Sequence, residues 1–261
     1  MKKCIVLFIV MMMCLGSHSS VETLDVAVLE FCPFICDPAK EDGKAGFSIE
    51  LEKTIFERAG YQINFHIVPY NRSIKRTEVG EYDAVGFCND KSSDVNICST
   101  ETVGPMIQTF YVKKGNPWRY AGIKSMKDIT LGVISGYKYT VVSEEFQQYI
   151  EQNKVNDTRV EFHYGDDVLH RIFLKILADR IGTTNEAEYV ADYLAKKNGY
   201  FDQLEKVGKF ETIAWGRMCF SPKNPNAQKH VEILDKGIRQ MKASGEIGDI
   251  MQKYGLEDWN E

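Results

Sequence analysis

Basic charge is scarce in this sequence. Lysine and arginine together number 32 against 37 aspartates and glutamates, a formal net charge of −5. Without a basic excess there is no electrostatic footprint for a phosphate backbone, which excludes nucleic acid as an expected partner. Also missing is any long apolar run beyond residue 15, so no later segment is expected to span a bilayer. The five histidines (His18, His66, His163, His170 and His230) form no HExxH-like pair, and Cys32-x-x-x-Cys36 is loose spacing for zinc. Neither a metal nor a cofactor is therefore expected. No nucleophile–base pair can be traced among the motifs, so no catalytic residue is assigned.

What is present begins at the N-terminus. Lys2 and Lys3 precede the apolar run Ile5–Leu15, which gives way to Gly16-Ser17-His18-Ser19-Ser20. A charged start, a short apolar stretch and a small-residue cleavage site are the layout of a signal peptide, here residues 1–19, and imply export to the periplasm. Cysteine usage agrees. Removing Cys4 and Cys14 leaves Cys32, Cys36, Cys88, Cys98 and Cys219, an odd set in which one or two disulfides leave at least one thiol over. Sequence does not fix the pairing; Cys88–Cys98, bracketing one loop, is the favoured pair.

Strand-like and helix-like patterns alternate along the chain. Leu24–Leu29 reads as a buried strand, and Ser48–Ala59 as a helix with Leu51, Ile55 and Ala59 on one face and Gly60 as its stop. Ile63, Phe65 and Ile67 alternate as a strand, and Asp83–Phe87 reads as another. The pattern restarts at Ile129, continues through Val160, Phe162 and Tyr164, and enters helices marked by Val168, Ile172, Phe173 and Ile176, then by Ala187, Val190, Ala191 and Leu194. Two closing helices carry Val231, Leu234, Ile238 and Met241, then Ile247, Ile250, Met251 and Tyr254. This order predicts an α/β architecture with largely parallel sheets. Because the pattern starts twice, two α/β lobes joined by two crossings are expected, with a ligand cleft beyond the carboxyl ends of the strands. The Ser135-Gly136 turn falls at such an end.

The segments "LDVAVLEFCPF", "GKAGFSIELEKTIFERAGYQINFHIVPYNRS" and "VGEYDAVGF", followed by "SMKDITLGVISGYKYT", "KILADRIGTTNEAEYVADYL" and "ILDKGIRQMKASGEIGDIMQKYGL", resemble in order and spacing the family 3 bacterial extracellular solute-binding proteins. These are polar-amino-acid-type receptors of ABC importers, and "VPYNRS" and "NPWRYAGIKSMKD" point to a divergent subgroup. The resemblance implies the type II periplasmic-binding fold: two lobes, a two-strand hinge and closure of a cleft around ligand. The expected division is lobe I from 20–111 and 219–261, and lobe II from 112–218. The implied partners are a small polar or anionic ligand (an amino acid or related carboxylate) and an ABC permease, with the protein itself a monomer.

The resemblance also implies site residues. Phe31 and Phe34 correspond to aromatic groups covering the ligand, and Tyr70 and Arg72 follow the third element of lobe I, where Arg72 offers a planar fork for a carboxylate. Ser135, Gly136 and Tyr137 correspond to a loop whose backbone N–H groups and hydroxyls meet that carboxylate. Asn185 and Glu186 lie where family members keep a carboxylate for an amino group; a two-residue slip would make it Glu188. One departure stands out: the loop "CNDKSSDVNICST" carries Lys91, Ser92 and Ser93 but no arginine for an α-carboxylate. Either Arg72 takes that role from another direction, or the ligand is not an amino acid. A free periplasmic sensor and a cyclohexadienyl dehydratase-like enzyme are the alternatives that the same fold would allow.

Overall fold

In the computed structural model, which describes residues 21–88, 97–154, 159–165 and 167–259, eleven strands fall into two sheets. The expected signal peptide and the Lys91–Ser93 stretch lie outside the described residues.

The first sheet is built from β1 (Thr23–Val28), β2 (Gln62–Ile67), β3 (Ala84–Cys88), β4 (Ile97–Cys98), β5 (Gly104–Met106) and β11 (Ala214–Phe220), in the order β2-β1-β3-β11-β4, with β5 pairing β11. The second contains β6 (Gln108–Lys113), β7 (Leu131–Ile134), β8 (Val160–His163), β9 (Thr183–Ala187) and β10 (Leu204–Lys209), in the order β10-β6-β9-β7-β8. The chain passes from one sheet to the other between Met106 and Gln108 and returns between Lys209 and Ala214. Parallel pairing holds where helices intervene, as in β1 with β2 and β3 and β7 with β8 and β9. The passing strands β6 and β11 pair antiparallel with their neighbours. The sheets are thus mixed rather than largely parallel, because a strand that enters or leaves a sheet needs no helical crossover to reverse direction.

Helices cover the faces. Against the first sheet lie α1 (Phe47–Arg58), α6 (Ala227–Ser244) and α7 (Glu246–Gln252), whose buried Leu51, Ile55, Leu234, Ile238 and Met251 share one core with Val26, Val28 and Phe220. Gly237 lets α6 approach α1 closely, since a Cβ there would sit 2.4 Å from the Ile55 side chain. The helix α2 (Tyr70–Glu78) follows β2. On the second sheet the period of two sorts β6 between two cores: Phe110 and Val112 pack with Leu131, Val133 and Phe146 of α3 (Glu144–Gln152), while Tyr111 packs with α4 (Val168–Leu177) and α5 (Glu188–Lys197). In α4 the buried Leu169, Ile172, Phe173 and Ile176 follow the three-and-four spacing of an amphipathic helix. Among the described residues no helix is long and apolar enough to cross a membrane.

The disulfides differ from the favoured pairing. Cys32 bonds Cys36, and Cys98 bonds Cys219, leaving Cys88 as a buried free thiol. The reason is register. Cys98 and Cys219 stand directly opposite each other on neighbouring strands, whereas β11 lies between β3 and β4 and so separates Cys88 from Cys98.

Candidate functional site

The strand β9 is buried along its whole length although four of its five residues are polar or charged. Most of that polarity is matched by neighbouring backbone: Thr183 Oγ1 donates to the Tyr111 carbonyl and Thr184 Oγ1 to the Gly132 carbonyl, both at 2.9 Å. Glu186 is different. Its side chain is 1% exposed, its Oε1 accepts from the Ala187 N–H at 2.8 Å, and its Oε2 has no hydrogen-bond partner among the described residues. Burial pushes its carboxyl up to about 7, against the smaller opposing pull of the Ala187 N–H. A buried group of this kind requires either a proton or a cationic partner.

Glu186 lines a cavity of about 1080 Å³ whose walls come from both sheets' sides. Phe31 and Cys32, just after β1, contribute one wall; Ile134, Tyr137 and the face of α5 bearing Val190 and Leu194 contribute the other. The Phe31 wall is rigid for local reasons. The Cys32–Cys36 disulfide and the paired backbone of Phe31 and Ile35 close the turn, and Phe31 stacks on the fully buried Phe34 with ring centroids 5.3 Å apart. Gly46 permits this packing, because at φ +104° a Cβ would lie 2.3 Å from the Phe34 carbonyl oxygen. Opposite, the Glu186 charge raises the Tyr137 phenol well above its usual range, so this hydroxyl stays protonated and able to donate.

Three expected residues, Phe31, Tyr137 and Glu186, therefore line one cavity. Phe34 stands behind Phe31, among Phe47, Phe87 and Tyr189. Ser135 and Gly136 form the turn after β7, with Gly136 at φ +90°, and two of the three amides from Ser135 to Tyr137 are engaged: the Ser135 N–H donates to the His163 carbonyl of β8 at 2.9 Å and the Tyr137 N–H to the Ile134 carbonyl at 3.2 Å. Asn185 alternates to the other side of β9 from Glu186 and is buried with both amide atoms unpartnered among the described residues. Tyr70 and Arg72 occupy the first turn of α2, outside the cavity wall, with Arg72 exposed. Glu188, the alternative to Glu186, is occupied by Lys206 and by the Thr109 hydroxyl.

Sequence reasoning missed a second cluster at the cavity edge. Lys197 donates to Glu41 Oε1 at 2.7 Å, and the Tyr193 hydroxyl donates to Glu41 Oε2 at 2.8 Å. The four-residue spacing of Tyr193 and Lys197 does signal a common helix face. Nothing in the sequence links that face to Glu41, 152 residues before Tyr193.

Residues 24–257 match the model of the bacterial extracellular solute-binding proteins, family 3. The chain belongs to this family. Solved structures share its type II periplasmic-binding fold. A probable amino-acid ABC transporter extracellular-binding protein from Bacillus subtilis is 17% identical, with a TM-score of 0.68 over 90% of this chain and 98% of that one. An ancestral arginine-binding protein bound to arginine is 23% identical, with a TM-score of 0.63 over 89% and 97%. An ancestral amino acid-binding protein, a precursor of cyclohexadienyl dehydratase, is 18% identical, with a TM-score of 0.63 over 89% and 94%. No curated protein matches the chain. Membership makes solute binding outside the cytoplasm the family's business; the identities, all below one quarter, carry the fold alone.

Proposed function

We propose that this protein is a periplasmic solute-binding protein that captures a small polar ligand between two lobes and delivers it to an ABC-type importer. The observation that carries the reading is Glu186: a fully buried carboxylate with one unpartnered oxygen, facing a cavity walled from both sheets' sides. Lobe I is the first sheet with its helices and lobe II the second, divided at the passages 106–108 and 209–214, a few residues before the sequence-based boundaries. Phe31 and Tyr137 cover the ligand, Glu186 meets its polar head, and the lobes close as rigid bodies on the two connecting segments. A signal peptide at residues 1–19 accounts for export. Mass spectrometry of ligand released from the purified protein by gentle denaturation tests the reading. A stoichiometric small polar molecule is expected, together with compaction in small-angle scattering when it is restored; an unchanged shape at saturation speaks against closure.

A carboxyl brought near neutrality in a cleft also favours a second reading, a dehydratase-like enzyme with Glu186 as general acid. Turnover of arogenate or prephenate, absent in Glu186→Gln, would establish it. A stand-alone sensor would use the same cavity, and it is separated from an importer component by the absence of a neighbouring permease gene.

A further inference from the structure

The chemistry of the cavity narrows what it can take. Among the described residues four carboxylates line it: Glu30, Glu41, Asp167 and Glu186. The lysines lining it are Lys40 and Lys197, and each is already held in an ion pair, Lys40 with Glu30 at 2.8 Å and Lys197 with Glu41 at 2.7 Å. His170 is engaged with the Tyr200 hydroxyl at 3.0 Å. No arginine lines the wall among the described residues, and Arg72 sits elsewhere, on α2. The Ser135–Tyr137 turn, the natural backbone cradle for an anion, has the Ser135 and Tyr137 amides engaged with carbonyls of β8 and β7. An entering carboxylate would thus lose its hydration and find mostly acids facing it. An entering cation finds Glu186 in the cavity wall, nine-tenths and more buried, with Oε2 lacking a hydrogen-bond partner among the described residues.

We infer that the ligand is a small organic cation, an amine or guanidinium compound, recognised through its positive head at Glu186 and independently of any carboxylate. This rests on the reading of the cavity as the ligand site and sharpens it. Phe31 and Tyr137 suit the same ligand, since aromatic faces attract ammonium and guanidinium groups. Asp167, at the start of α4, adds to the same negative field.

Calorimetry of the purified protein with four probes tests the inference: agmatine, putrescine, L-arginine and L-glutamate. Agmatine is arginine without its carboxylate, so the pair isolates that group. Expected are binding of agmatine at least as tight as that of L-arginine and no heat from L-glutamate. Glu186→Gln should weaken agmatine at least tenfold while retaining the cooperative unfolding of the parent. L-arginine binding a hundredfold tighter than agmatine would overturn carboxylate independence, and binding of L-glutamate alone would overturn the cation class. Silence from all four probes would also overturn it. The solute-binding reading would survive each of these results provided that a co-purified ligand of other chemistry were found, so the two failures are distinguishable.

Discussion

Replacing Glu186 with glutamine should stabilise the ligand-free protein at pH 8 and do so far less at pH 5. The carboxyl titrates near 4.5 when unfolded and is raised to about 7 in the native state, chiefly by burial. An acid raised in this way keeps its proton in the native state longer than in the unfolded one. Its cost to stability is nil below 4.5, grows as pH rises through that value, and is complete above 7. A gap of about 2.5, at about 1.4 kcal/mol for each unit, gives about 3.4 kcal/mol; relaxation around a cavity wall brings the expectation to about 2–3 kcal/mol. Glutamine keeps the shape and an oxygen for the Ala187 N–H but never ionises. Urea denaturation of both proteins at pH 5 and pH 8 reads the difference. With a slope near 3 kcal/mol per molar for a chain of this size, the variant's midpoint should exceed the parent's by about 0.8 M at pH 8 and by about 0.3 M at pH 5. Equal offsets at both pH values would mean that Glu186 ionises in the native state without penalty, and the account of a cost met only by ligand would fail. Because an ionised Glu186 is what holds a cation, agmatine affinity in the parent should fall as pH drops below about 7. The phenols facing Glu186, Tyr137 and Tyr139 on the β7 side and Tyr111 on β6, are all raised and stay neutral throughout that range.

Three further outcomes follow from other parts of the molecule. The Cys98–Cys219 bond closes a loop of 121 residues and the Cys32–Cys36 bond one of four, so chain entropy gives about 5 against about 2 kcal/mol; paired serine replacements, compared by denaturation, should preserve that order. His230 is fully buried among Phe56, Tyr61 and Phe220 with neither ring nitrogen hydrogen-bonded and Glu22 3.7 Å from Nε2; burial lowers its affinity for a proton against the opposing pull of Glu22, so its contribution is present above its ordinary value of 6.5 and lost as pH falls below it. His230→Phe should therefore flatten the stability profile between pH 6.5 and 5, while an unchanged acid limb would assign that limb to other groups. Glu41→Ala removes the acceptor shared by Tyr193 and Lys197; charged hydrogen bonds of roughly 1.5–3 kcal/mol, discounted for a half-exposed lysine, leave about 1 kcal/mol, or about a fivefold shift toward the open form in a distance-sensitive fluorescence assay.

Periodicity carried the repeating elements into view because burial enforces it. Val168, Ile172, Phe173 and Ile176 read as one helical face; the last three are buried residues of α4, with Leu169 buried in place of the half-buried Val168. Strands that pass between sheets carry no such mark. The sequence of β11, Ala-Trp-Gly-Arg-Met-Cys-Phe, gives no sign that it lies between β3 and β4, which is why the loop-bracketing cysteine pair looked natural and is not formed. In the candidate site, the ordered resemblance to a family named Glu186, Tyr137 and Phe31, which all line one cavity, since such a resemblance preserves places at strand ends. The same resemblance put Arg72 in the cleft as a fork for an expected carboxylate; it lies on α2, outside that cavity wall, and the chemistry of the ligand is the part a divergent member is free to change. Glu41 was illegible for a simpler reason: its partners lie about 150 residues away, and one acid in a polar turn looks like any other.

On the proposed reading, the position of Glu186 couples ligand capture to a clasp, the contacts of α5 with the first-sheet side. Glu186 is the last residue but one of β9, which ends at Ala187, and α5 begins at Glu188 with no intervening loop, so strand and helix form a single stiff segment. That segment holds the ligand-facing carboxylate at one end. Along its length it sends Tyr189 to the Glu257 carbonyl, Tyr193 and Lys197 to Glu41, and Lys196 to the Gly255 carbonyl, all on the first-sheet side. A charge at Glu186 left unpartnered in a closed cavity costs free energy, and each of these outer contacts opposes the opening that would relieve it. Ligand binding removes the cost and leaves the contacts in place. The same helix therefore sets both how tightly a cation is held and how far the molecule closes without one, so Glu41→Ala should weaken agmatine by no more than the fivefold shift in the open–closed balance. A larger loss would show Glu41 touching the ligand itself rather than acting through the clasp.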